Sequence, residues 1–248
     1  MADDQKDFAE TKGPVAGAPP PSGGFWRSLA DIFVDPAKVF ARIDAGLSWW
    51  KPFVAITMVN IAIGYFMLPF RRKLIEISLQ GQPPEKAQEA LSQMDKFGPI
   101  GLITVPIFLI ILTLIIAGIV HVIINIMSSR SSFKKTLSLI CFSGLIGLLG
   151  QIIGSLVLLS RGVESVESQA DLMMSFSLAP LFPDAKGAVA ALMQSFGIFE
   201  IWYYIVLILG VAAIFKISRK SAIVAAIPSW LFAFLGAFLG GKFQGGAR

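Results

Sequence analysis

Cysteine and histidine are nearly missing, with one of each among 248 residues. A single Cys141 excludes an internal disulfide, and its place inside an apolar run makes a small buried side chain the expectation. A single His121 leaves no HExxH pair and no Cys/His set at ligand spacing, so neither a metal nor a cofactor is expected. The chain also lacks a GxSxG turn, a Walker loop and paired acidic residues within an apolar run, so no enzymatic activity is expected. Charge is scarce as well: 15% of residues are Asp, Glu, Lys or Arg, against roughly 25% in a soluble domain. The net charge of +5 gathers at the ends of apolar runs, with no basic patch interleaved with aromatics. Nucleic acid is therefore not an expected partner.

What remains is hydrophobic, 55% of the chain, and it comes in blocks. Gly101–Met127 and Thr136–Ser160 carry no Asp, Glu, Lys or Arg, and each exceeds the ~20 residues that a helix needs to cross a bilayer. The polar segment joining them carries Arg130, Lys134 and Lys135 and no acid, which belongs on the cytoplasmic side. Three more spans follow from the same reading, about 52–70, 197–215 and 222–240, with a second basic turn at Lys216, Arg219 and Lys220. The predicted fold is all-α, a polytopic bundle of five transmembrane helices, with the N-terminus cytoplasmic and the C-terminus outside.

Around the spans, residues 1–24 are polar, rich in Ala, Pro and Gly, and lack the basic and apolar regions of a secretory signal. They read as a disordered cytoplasmic tail. Residues 25–48 are amphipathic, and Asp35-Pro36 predicts two short helices meeting at an N-cap with proline at the first helical position. Two placements stand for them: flat in the headgroup plane, or packed beneath the bundle. The transmembrane domain covers 49–240. Pro69 is expected to end the first span, and residues 71–98 to form an extramembrane loop with a helix at Glu85–Met94. Residues 161–196 are too apolar for a free loop, and short interfacial helices over the outer end are expected there. Residues 241–248 read as a flexible tail.

Two sets of residues inside the spans are candidates for function. The first is polar: Asn60, His121, Asn125, Gln151 and Glu200. An ionisable group within a membrane is a functional candidate by default. The competing reading is a neutral His121 imidazole bonded to Asn60, Asn125 or a backbone carbonyl, holding helices together, and a Glu200 that reaches water at the outer interface or pairs with Gln151. The second set is small. Ser143, Gly147, Gly150 and Gly154 form a stripe on the third span, and Ser229, Ala233 and Gly236 continue one on the fifth. Such stripes permit close backbone approach, so the two are expected to face each other.

Asp35-Pro36 with Phe40, the Trp49-Trp50-Lys51-Pro52 opening, His121 late in the second span, the Ser132-Phe133 turn and the Lys220-Ser221-Ala222 turn together resemble the bacterial branch of the Yip (Ypt/Rab-interacting-protein-like) family. The resemblance covers Phe25 to Gly240. It implies five spans, a cytoplasmic N-terminus, no enzymatic activity and a place in the bacterial inner membrane. The acidic motif of the eukaryotic members is absent, so a GTPase partner is not implied. Two functions are carried forward. One is a membrane organiser or adaptor whose partners are the lipid bilayer and other membrane proteins or further copies of this chain. The alternative is a transporter or permease for a small or lipidic solute.

Overall fold

The computed structural model describes residues 23–128, 131–167, 176–178, 181–182, 189, 192–193 and 196–245. Among these, the order is α1 (Phe25–Val34), α2 (Pro36–Asp44), α3 (Trp50–Phe66), α4 (Leu68–Ser78), α5 (Pro84–Met127), α6 (Phe133–Arg161), α7 (Ile198–Phe215) and α8 (Arg219–Gly245). No strand occurs among the described residues; the one extended contact is an isolated bridge between Ser177 and Gly197. Helix is what an apolar chain must form in lipid, where no water satisfies backbone N–H and C=O groups. Three helices, α5, α6 and α7, are long and apolar enough to cross a membrane, and α3 with α4 makes a fourth if the bent pair counts as one span.

Helix α6 is the centre of the bundle. Every residue from Thr136 to Ser143 is buried. The core joins Leu139, Phe142 and Ile146 of α6 to Leu207, Val211 and Phe215 of α7 and to Ile32, Val39 and Phe40 of α1 and α2. Helices α6 and α7 run antiparallel and close together. A Cβ added to Gly210 would lie 2.4 Å from Leu139 Cδ1 and 2.9 Å from Phe40 Cε1, so glycine is what lets the three elements converge.

The helix pair α1–α2 packs under one end of the bundle. Proline at the first position of α2 makes the break after Val34, as the sequence predicts. Asp35 occupies the capping position, yet its carboxylate pairs with Lys38 at 2.8 Å and makes no capping bond. At the same end, Lys135 Nζ bonds Asp44 Oδ1 at 2.6 Å, Ser138 donates to the Leu47 carbonyl at 2.9 Å, and Ser128 donates to the Phe215 carbonyl at 2.8 Å.

Three expectations are corrected. Pro69 does not end the first apolar helix in a loop: α3 closes at Met67, the axis bends by 48°, and the chain resumes as α4 through Arg71, Arg72 and Lys73. Pro69 sits in the first turn of α4, where its missing N–H would have no helical partner anyway. The separate helix at 85–94 does not exist: its residues and the second span form the single α5, 44 residues or about 66 Å at 1.5 Å per residue. Pro99 and Pro106 lie within it without ending it. Finally, α8 continues to Gly245, through most of the expected flexible tail.

At the far end, Phe70, Leu158 and Val166 form a second small core, and Lys73 reaches Glu164 at 2.7 Å. A 3₁₀ turn at Val163–Ser165 follows α6. The expected tail at 1–22 and most of the expected interfacial helices of 161–196 lie outside the described residues.

Candidate functional site

The bundle does not pack shut. A partly enclosed cavity of about 510 Å³ opens among five helices. Phe53 and Ile56 of α3, Leu109, Leu112, Thr113 and Ile116 of α5, and Ile140, Cys141, Gly144 and Gly147 of α6 form its largely apolar walls. Glu200, Tyr203 and Tyr204 of α7 and Trp230 and Ala233 of α8 complete it. The volume falls in the range of small-molecule sites, and mostly apolar walls with a few polar groups are their usual chemistry.

Glu200 is the one charged group on these walls. It lies in the first turn of α7, where the helix dipole favours an anion. Its carboxylate folds back over Gly197, occupying the space that a Cβ there would take. Tyr204 lines the same wall as Glu200, one helical turn further along α7. Tyr203 meets Tyr204 edge-on at 4.9 Å between ring centroids. Trp230 stacks on Phe234 at 5.8 Å and contacts Phe196 at 5.7 Å, which orients the indole at the cavity edge.

The other polar candidates lie elsewhere, and the five do not converge. His121 Nδ1 is 3.3 Å from Thr136 Oγ1, and its ring meets Phe133 edge-on at 5.4 Å. Its side-chain partner is thus on α6, one turn from the α5–α6 connection, and is neither Asn60 nor Asn125. Asn60 turns back on its own helix and donates to the Ile56 carbonyl at 2.9 Å. Asn125 accepts from Ser131 at 2.5 Å in the connection after α5. Gln151 is exposed and absent from the cavity wall that holds Glu200.

The small-residue stripes do not close on each other. Gly150 faces Phe199 of α7, whose Cγ would lie 2.6 Å from an added Cβ. Gly147 and Gly236 have open space beside them. Gly147 and Ala233 instead stand on the walls of the same cavity. Tyr203, Tyr204 and Trp230 line that cavity with them, so the two stripes face a shared space and not each other. Ser143, Gly154 and Ser229 are buried. Of the basic turns, Arg130 lies outside the described residues. Lys135 pairs with Asp44, while Lys134, Lys216, Arg219 and Lys220 are exposed. Lys216 adopts the left-handed conformation (φ 55°) that terminates α7.

Two features were not legible as function. Tyr203 and Tyr204 are brought to the cavity wall by the rotation of α7, which the sequence does not set. Arg42 is 5% exposed, 2.6 Å from Asp31 Oδ2 and 3.0 Å from Ser28 Oγ. The available signal was its position between Val39 and Ile43, on the face that α2 buries.

Residues 30–240 match the Yip1 domain. The chain is also similar to the membrane protein YknW of Bacillus subtilis (strain 168), 28% identical over 204 residues, which cover 81% of this chain and 84% of the relative. No solved structure matches it. The helical bundle, the long apolar helices and this match over most of the chain lead to one assignment: the protein belongs to the Yip1 domain family of membrane proteins.

Proposed function

We propose that this chain is a non-enzymatic, five-span protein of a bacterial inner membrane that organises or adapts other membrane components. In this reading α8 is the fifth span, the α1–α2 end faces the cytoplasm and the C-terminus lies outside. The observation that carries the adaptor role is the α1–α2 pair. Its inner face is clamped to the bundle by Ile32, Val39, Phe40 and Ile43, while Trp26 and Val34 stand 81% and 85% exposed on its outer side. A rigidly mounted helix with apolar side chains turned outward is suited to contact with a second protein or the membrane surface. The test is photo-cross-linking from position 26 in native membranes. A discrete cross-linked membrane protein, lost with Val34→Asp, supports the adaptor; cross-links to lipid alone refute it.

The cavity supports the second reading, a carrier for a small or lipidic solute. It also moves the residue to be tested from His121, which is engaged between α5 and α6, to Glu200. Solute flux in proteoliposomes that Glu200→Gln abolishes would place the carrier ahead of the adaptor.

A further inference from the structure

We infer that the five-helix cavity is a binding site for an organic cation with an apolar body. The argument begins with charge. Among the described residues Glu200 forms no ion pair, and the cavity walls hold no Lys, Arg or His. Glu200 is exposed at the rim of the cavity, where its carboxylate is placed to meet a cation that enters. The helix dipole explains an acid in the first turn of α7, but not its place beside three aromatic side chains. Tyr203, Tyr204 and Trp230 share the wall with it, and ring faces attract cations, most strongly when both are out of water. A carboxylate with aromatic rings is a receptor for an ammonium group and a poor one for an anion.

The remaining wall defines the rest of the ligand. Helices α6 and α7 are antiparallel, with Gly150 against Phe199 and Gly210 against Leu139. The cavity therefore extends along α6 from Gly147, near the level of Glu200, to Ile140, deeper in the bundle, a distance of about 10 Å at 1.5 Å per residue. Its polar group lies near one end and its other end is apolar. An amphiphile with a cationic head fits that gradient, whether it is a phospholipid with an ammonium headgroup or a free lipophilic amine. The site stands on the cavity alone, whether the protein is an adaptor or a carrier, so binding is measured apart from flux and cross-linking.

The experiment uses the full chain in phosphatidylglycerol nanodiscs and radiolabelled dodecyltrimethylammonium, with empty nanodiscs subtracted. Saturable binding is expected. Glu200→Gln should weaken it about tenfold, a change that corresponds to one charge-assisted contact. Unlabelled dodecyl sulfate should not compete. Gly147→Leu should abolish binding: Gly147 stands on the cavity wall and a Cβ added there meets no neighbour, so the larger side chain takes up space the ligand needs. This second variant keeps the test decisive if Glu200→Gln fails to fold. Binding unchanged in a folded Glu200→Gln protein, binding unchanged in Gly147→Leu, or equal competition by dodecyl sulfate would each overturn the site. Adding phosphatidylethanolamine to the nanodiscs identifies the source. Competition assigns the site to a lipid headgroup, and its absence with retained dodecyltrimethylammonium binding assigns it to a free cation.

Discussion

At the residue scale, the strongest electrostatic commitment lies outside the spans. Arg42 and Asp31 are eleven positions apart, straddle the break at Asp35-Pro36, and meet at 2.6 Å where Arg42 is almost fully buried. Removing Asp31 takes the carboxylate away from a buried guanidinium. Asp31→Ala should cost roughly 2–4 kcal/mol, at or below the usual range for breaking a buried pair because Asp31 is partly exposed. The double variant Asp31→Leu, Arg42→Met should recover most of that loss in thermal unfolding, since no charge is then left buried. The Asp35–Lys38 pair is a weaker case. The hydrogen bond from Lys38 holds the Asp35 carboxyl below its ordinary value. A depressed acid contributes stability above its unfolded pKa and loses it as pH falls through the lower folded value. Both side chains are largely exposed, so Asp35→Asn should cost only about 0.3–0.5 kcal/mol near neutral pH. The difference from wild type should shrink below about pH 4 and disappear at lower pH, which unfolding curves at several pH values would reveal.

At the element scale, two glycines of one stripe part company. Gly150 faces the root of Phe199, with atoms of that ring and its Cβ at 2.5–3.0 Å from an added Cβ, and these cannot swing aside like the tip of a flexible chain. Gly150→Ala should destabilise the α6–α7 contact by roughly 1–3 kcal/mol, the usual cost of overpacking. Gly147→Ala, into open space, should leave the melting temperature almost unchanged. If the two variants melt alike, the cavity is not where α6 places it. His121 and Thr136 join α5 to α6 at the other end. Thr136→Val keeps the shape and removes the hydroxyl, so it should cost about 1 kcal/mol, the worth of a typical hydrogen bond. A repeat of small residues states which face of a helix can be approached closely, but not by what. That is why the stripe was legible and its partner, Phe199 in place of Ser229, Ala233 or Gly236, was not.

At the scale of the whole molecule, the open question is how the helices cross the bilayer. Basic residues favour one orientation only narrowly, 12 of the 21 Lys and Arg falling on the cytoplasmic side of a five-span arrangement. In a Cys141→Ala background, a cysteine at Arg219 should label only from the cytoplasm and one at Gly245 only from outside. Those positions are the two ends of α8, so labelling of both from one side would show that this helix does not cross. The bent α3–α4 pair bears on the same count. Basic residues at 71–73 continue in α4, with Arg72 bonded to Asp95 of α5 at 2.8 Å and Lys73 to Glu164.

The sequence by itself determined the class of this protein, the approximate ends of α6 and α7, the C-terminal end of α5 and the break at Asp35-Pro36. Each of these rests on local physics: apolar run length set against bilayer thickness, the backbone's need for internal hydrogen bonds in lipid, and the fixed φ of proline. The tertiary structure alone decided that the α1–α2 pair packs against the end of the bundle, that Arg42 is buried, that α4 and the long α5 replace a loop, and that the polar residues of the spans scatter while Glu200 joins Tyr203, Tyr204 and Trp230 around a cavity. Each of those depends on how one helix is rotated against another. In lipid the apolar faces are equivalent as far as hydrophobicity is concerned, so rotation is settled by side-chain shape at the contacts, such as Phe199 over Gly150 and Leu139 over Gly210.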